Sequence, residues 1–160
     1  MFEKNKFSFI EINKNIYKIF YDNKPIEINI KNGIIPFGLE EEFNKYLLKI
    51  EVNSSDISII YYIENLLLNI FNLNKDEIKS SIKIKENHND LLICNFKNYN
   101  NKIIVNIKYN NNKNNYLKTI YDLNKDDICD YNIYVESIWY KKDSINKKAG
   151  LNIYVKKITI

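Results

Sequence analysis

The sequence predicts a mainly β domain of the α+β class: a small barrel with one substantial helix around residues 56–73 and a C-terminal β-hairpin. Three observations lead there. Apolar and polar residues alternate over most of the chain, as half-buried strands require. One stretch alone shifts to helical spacing, with Ile57, Ile60, Ile63, Leu67, Ile70 and Phe71 on one side and Ser54-Ser55-Asp56 ahead of it as N-cap residues. The 160 residues show neither repeat nor linker, so residues 1–160 fit a single domain large enough to bury a core.

Taken in order, Phe7, Phe9 and Glu11 oppose Ser8 and Ile10, and a second strand covers Asn15 to Tyr21. Asp22-Asn23-Lys24-Pro25 has turn chemistry, after which Ile26, Ile28 and Ile30 alternate with polar neighbours. Asn44 to Val52 reads as a strand with Tyr46, Leu48, Ile50 and Val52 inward. Beyond the helix, strands are expected at Ser81–Lys85, Leu91–Lys97 and Lys102–Tyr109. An Asn-rich turn at Asn110–Asn115 and a short helical piece at Leu117–Leu123 follow. The terminal pair is Tyr131–Tyr140 and Leu151–Ile160, joined by a lysine-studded loop, for seven or eight strands in all.

Ile (30), Asn (28) and Lys (24) make up just over half of the chain, while Arg and Gln are absent. Such a skew fits codon drift in an AT-rich genome better than prion-like chemistry. Without arginine there is no bidentate guanidinium recognition, so any contact with a polyanion must use lysine as a point charge. Thirteen tyrosines and eight phenylalanines supply ring surface for both core and contacts. Charge is segregated. Leu91 to Tyr121 has five lysines and no acid, and Ile138 to Ile160 six lysines against Asp143. Pro36 to Glu64 and Asp122 to Glu136 are acidic. A basic and an acidic surface result, the footprint of a polyanion binder or of ordinary solvated faces.

Catalytic chemistry has little to stand on. His88 is the only histidine and lies in a polar turn. No glycine-rich phosphate loop and no Cys/His spacing for zinc occurs, so no cofactor or metal is expected and the chain reads as a non-enzyme. Asp122-x-Asn124-x-Asp126 copies the start of a calcium loop but has Asp127 at position six and Ile133 at position twelve. Cys94 and Cys129 in apolar surroundings imply a reducing, intracellular setting without a disulfide framework. No cleavable leader is expected, and the apolar stretch Ile57–Leu73 is too polar and short for a membrane span.

Lysine beside aromatic residues is the binding chemistry that remains, and the final hairpin carries most of it. Tyr131, Ile133, Val135 and Trp139 share a parity against Tyr134, Glu136, Ile138 and Tyr140, unless a bulge regroups them. In the partner strand Leu151, Ile153 and Val155 form the apolar face, putting Tyr154 and Lys156 outward. Tyr140, Lys141, Lys142, Tyr154 and Lys156 are the leading nucleic-acid contacts, and Trp139 has both a core and a contact reading. Lys18 and Phe20 in the first hairpin, and Lys97, Tyr99, Lys102 and Lys108 in the acid-free middle, extend the set.

The order of short motifs resembles a known family. Lys18–Ile26, then Ile35-Pro-Phe-Gly-Leu39, a strand and long helix, Ser137-Ile-Trp-Tyr140 and Lys148–Ile158 are similar to the OB-fold single-stranded DNA-binding proteins of large nucleocytoplasmic DNA viruses. Those are distantly similar to the replication binding protein of short-tailed phages. The resemblance implies an OB-like barrel, sequence-tolerant binding of single-stranded DNA and a role in viral replication or recombination. The setting it implies is a host cytoplasm or viral factory. Single-stranded RNA, a homo-oligomer and a replication-protein partner stay open as partners. Phage members end in an acidic tail used for recruitment, whereas this chain ends Val155-Lys-Lys-Ile-Thr-Ile160. The rival expectation is a structural or protein-interaction module, such as a minor virion or assembly component.

Overall fold

The computed structural model describes residues 1–84, 86, 89–108 and 119–160. His88, the turn expected at Asn110–Asn115 and the start of the helical piece expected at Leu117 lie outside the described residues.

Among them the strands are β1 (Phe7–Asn13), β2 (Ile16–Tyr21), β3 (Lys24–Ile35), β4 (Leu39–Glu42) and β5 (Lys45–Val52). The helix α1 (Ser58–Ile70) follows. Then come β6 (Ile78–Lys79), β7 (Ile82–Lys83), β8 (Asp90–Asn95), β9 (Lys97–Tyr99), β10 (Lys102–Ile104), β11 (Asn106–Lys108), β12 (Asp127–Lys142) and β13 (Lys147–Thr159). Five strands close into a ring: β3 pairs with β5, β5 with β8, β8 with β13, β13 with β12, and β12 returns to β3. In chain order the first strand of the ring pairs with the second and fourth, and the third lies parallel to the fifth, through Asn95 and Tyr154. This is an OB-like barrel, here with the helix between its second and third strands. The hairpin β1–β2 extends the sheet beyond β12, and β9–β10 stands as a separate ribbon.

Isoleucine and leucine at alternate strand positions fill the barrel: Ile26, Ile28, Ile30, Leu48, Ile50, Leu92, Ile133, Val135, Ile153 and Val155 are all buried. Helix α1 adds Ile60, Ile63, Leu66 and Leu67. Its Glu64 is buried as well and accepts hydrogen bonds from Ser80 Oγ and the Ser81 N–H, both at 2.8 Å. Burial still lifts that carboxyl above its ordinary range, against the pull of the two donors.

The asparagine surplus has a structural use. Among the described residues ten non-glycine residues have positive φ, and nine of them are Asn or Asp. Asp22-Asn23 and Asn100-Asn101 each place two such residues between paired strands, the backbone of a type I′ hairpin. Asn and Asp tolerate the left-handed region, so a chain with three glycines can still turn tightly. Phe43, at φ 51° in the β4–β5 turn, is the exception.

The structure revises several boundaries. The helix spans Ser58–Ile70 rather than 56–73, and Ile57 occupies its N-cap with no side-chain cap bond. Ser54, Ser55 and Asp56 form a preceding turn instead. The stretch Lys102–Tyr109 divides into β10 and β11, because the first pairs with β9 and the second with β13. The described part of the expected helical piece holds a single 3-10 turn at Ile120–Asp122. The lysine-studded loop is mostly strand: β12 and β13 run on until Lys142 pairs with Lys147, leaving four residues to turn the chain.

Candidate nucleic-acid interface

Two register shifts decide what the last hairpin shows to solvent. Along β12 and β13, Tyr131, Ile133, Val135, Ile153 and Val155 point into the barrel. Tyr134 and Tyr154 are directly paired and point out, with ring centroids 5.7 Å apart. Val135 pairs with Ile153 and Ser137 with Asn152, so Glu136 is the extra residue of a bulge. Beyond it the parity of β12 is inverted: Ser137, Trp139 and Lys141 join Tyr134 on the outer face, and Ile138 and Tyr140 turn inward. A second shift, between Asn132 and Ile133, leaves Lys156 as the extra residue on β13.

Tyr134 and Tyr154 lie at the centre of the outer face, in a row that register carries around the barrel from Glu27 through both tyrosines to Asn95 and Leu47. Each ring is half-buried, and burial raises both phenols above their ordinary range. Lysines bracket them. Lys97 Nζ lies 5.8 Å from the Tyr154 ring and pairs with Glu136. Lys156 pairs with Glu27. The bond to Glu136 raises the ammonium of Lys97, and the bond from Lys156 lowers the carboxyl of Glu27.

Farther along the same face, Trp139 pairs with Gly150. The indole covers the glycine so closely that an added Cβ would meet its ring at 2.7 Å, so Gly150 is what lets the ring lie flat on the strand. Lys141 Nζ sits 5.7 Å from that ring. Across β2, Lys18 pairs with Ser137 and Ile16 with Trp139, so Lys18 and Phe20 belong to this face too. At the tip Lys141 opposes Lys148 and Lys142 opposes Lys147. Like charges directly opposite destabilise an antiparallel pair, and here two such pairs are adjacent. Lys97 begins the β9–β10 ribbon, which holds Tyr99, 68% exposed, opposite Lys102. Lys108 is exposed on β11, beside the far end of β13.

Of the residues expected to form the site, Trp139, Lys141, Tyr154, Lys156, Lys18 and Phe20 are brought together on this face. Tyr99 and Lys102 sit on the ribbon that rises from it, and Lys108 lies at its edge. Tyr140 does not face solvent with them. It stacks on Phe71 at the end of α1, with centroids 4.4 Å apart and planes 9° from parallel, and Tyr17 closes on the same Phe71. The bulge at Glu136 is the reason. Lys142, on the parity of Tyr140, is exposed on the opposite side of the hairpin end. Tyr134 and Lys148 complete the face and were not singled out from the sequence. The burial of Tyr131, Ile133 and Val135 on the other parity was the signal for Tyr134.

A second aromatic surface lies around the β4–β5 hairpin. Lys49 pairs with Glu40 at 3.0 Å and stands 5.3 Å from the Phe37 ring. Tyr46 meets Tyr121 edge-on at 5.3 Å. Glu41 raises the Tyr46 phenol, and the surface is acidic. Among the described residues no cluster of His, Cys, Asp or Glu has metal-binding geometry, and no helix is long and apolar enough to cross a membrane.

No family model matches the chain, and no curated protein does. Among solved structures it is similar to a C-terminally truncated single-stranded DNA-binding protein from bacteriophage Enc34, with TM-score 0.50 and 10% identity over 97% of this chain and 92% of that one. The protein from bacteriophage Enc34 in complex with ssDNA aligns at TM-score 0.48 and 12% identity, over 96% and 94% of the two chains. The first likeness covers nearly the whole of both chains and is one of fold.

Proposed function

We propose that this chain binds single-stranded DNA without catalysis, along the outer face of β12 and β13, in the replication or recombination of an AT-rich viral genome. The observation that carries this reading is the directly paired Tyr134 and Tyr154 on the solvent side of the barrel, with lysines at both ends of the pair. The fold-level likeness to a protein named as single-stranded DNA-binding supports it. The kinship with proteins of large DNA viruses, expected from the motifs, belongs to the same proposal.

The division of labour follows from the residues. Tyr134, Tyr154, Trp139 and Phe20 offer ring faces to bases, a contact every base can make, so the reading is sequence-tolerant. Lys18, Lys141 and Lys148 meet phosphates. Lys97 and Lys156 exchange a carboxylate for a phosphate as the strand arrives, so Glu136 and Glu27 hold them in place beforehand. The opposed lysines at the hairpin tip gain most from a polyanion, which relieves their mutual repulsion. With lysine as the sole strong cation, affinity falls with salt as the entropy gained by releasing counterions shrinks.

The test is a titration of a fluorescent oligonucleotide of about 30 nucleotides in low salt, with duplex of the same length as competitor. Tight binding to the single strand that duplex displaces poorly is the expected result. Absence of binding overturns the reading and favours a module that contacts other proteins.

A further inference from the structure

We infer that the free edge of β1 is a homodimer interface, on which a second copy of this chain pairs its own β1 antiparallel about Phe9. Among the described residues β1 is bonded on one side alone, to β2, so its other side is an open sheet edge. The hydrogen-bond phase says which backbone groups that edge presents. The Asp22 N–H donates to the Lys6 carbonyl at 2.8 Å, so Lys6, Ser8 and Ile10 turn their backbone groups toward β2. Phe7, Phe9 and Glu11 therefore turn theirs outward. Edge strands are ordinarily blunted by lysine, proline or inward charge. Phe7–Asn13 has no lysine and no proline; its one charged residue, the exposed Glu11, stands at the register shift that ends the regular pairing, and Phe9 and Ile10 are 38% and 55% exposed.

Side chains on this edge are self-complementary. Phe7 faces the helix and stacks on Tyr62, and Phe9 shares its parity. Beside them is an apolar pocket of about 430 Å³ lined by Lys4, Asn5, Phe7, Phe9, Leu66 and Ile70. A two-fold axis normal to the sheet requires each residue to meet one of its own parity. Centring it on Phe9 pairs Phe9 with its counterpart and Phe7 with Glu11, which engages all three outward backbone pairs in about six hydrogen bonds. Each Phe9 then lies over the other copy's pocket, and each Glu11 comes to the side lined by the other copy's Lys4. Opposite charge thus meets at both ends of the paired segment. The same axis keeps both outer faces on one side of a continuous sheet, so a dimer presents two tyrosine–lysine faces together. That last consequence rests on the proposed function; the pairing itself does not.

Sedimentation velocity on the full chain without nucleic acid, from about 1 to about 100 µM, tests the pairing, because so short an interface is expected to associate weakly. The expected result is a shift from monomer to dimer over that range. Phe9→Lys, at a part-exposed position, should keep the circular dichroism of the native chain and weaken dimerisation at least about tenfold. Phe9→Cys should form a disulfide-linked dimer on mild oxidation, since the two residues meet at the axis. A monomer throughout, a dimer indifferent to Phe9→Lys, or a dimer that Phe9→Cys does not cross-link overturns the inference. None of these readouts involves DNA, so failure here is separate from failure of the proposed function.

Discussion

Tyr134 and Tyr140 lie six residues apart on one strand, an even spacing that in an uninterrupted strand puts both rings on the same face. They face opposite ways. Tyr134 stands beside Tyr154 on the outer face, bracketed by Lys97 and Lys156, while Tyr140 stacks on Phe71 against the end of the helix. One extra residue, Glu136, separates the two outcomes, and the same bulge brings Trp139 out over Gly150. The strand therefore has two jobs. Its first half closes the barrel with one face and offers rings with the other; its second half packs Tyr140 against the edge of the core and turns its tryptophan to the outer face. The bulged residue is also the partner of Lys97, so the backbone irregularity and the charge arrangement share a position.

Removing a ring from the outer face should matter most for binding. Tyr134→Ala and Tyr154→Ala should each weaken oligonucleotide binding per folded molecule by about 1–3 kcal/mol, measured by fluorescence anisotropy, beyond the stability cost of truncating a half-buried ring. Tyr140→Ala should do the reverse. Loss of a stacked, half-buried ring should cost about 2 kcal/mol of stability in urea melts while oligonucleotide affinity per folded molecule stays constant. Equal effects of Tyr140→Ala and Tyr154→Ala on binding would erase the distinction.

Smaller effects sharpen the electrostatic side. If about four phosphates are neutralised, log K against log salt should fall with a slope near −3. Glu27→Gln and Glu136→Gln should tighten binding several-fold, because each frees a lysine already placed on the face; weaker binding would show that the carboxylates position the lysines rather than compete with phosphate. The smallest effect is on pH. Glu27 has its folded pKa lowered by the bond from Lys156, so its pairing stabilises the fold above the ordinary glutamate range. That contribution is lost as pH falls through the lowered value, and in Glu27→Gln this part of the acid-side loss should be missing from the stability profile.

The barrel was legible in the sequence because alternation survives even in an isoleucine-rich chain: Ile26, Ile28 and Ile30, then Leu151, Ile153 and Val155, state which side is buried. The outward placement of Tyr154 and Lys156 followed directly. The bulge at Glu136 was not legible, since no glycine or proline marks it and Ile138 fits either face. Strict alternation therefore puts Tyr140 on the wrong face, while Trp139 takes the outward one of the two readings that the sequence leaves open. The strand ends were hidden by charge. Lysines at 141, 142, 147 and 148 read as a solvated loop, whereas the structure pairs them across a hairpin. The turn at Asp22–Pro25 was legible as a turn, but its type I′ backbone, like that at Asn100-Asn101, was not, because asparagine is so common that its presence marks nothing by itself.

Trp139 is the sole tryptophan and lies on the outer face, so its emission reports on that face alone. The most direct test of the central claim is to titrate a single-stranded oligonucleotide while following this emission beside the anisotropy of the labelled strand. Trp139 should be quenched saturably, with the same midpoint as the anisotropy change, and salt should reverse the quenching. A strand that binds by anisotropy and leaves the Trp139 emission unchanged would place the interface elsewhere and contradict the account.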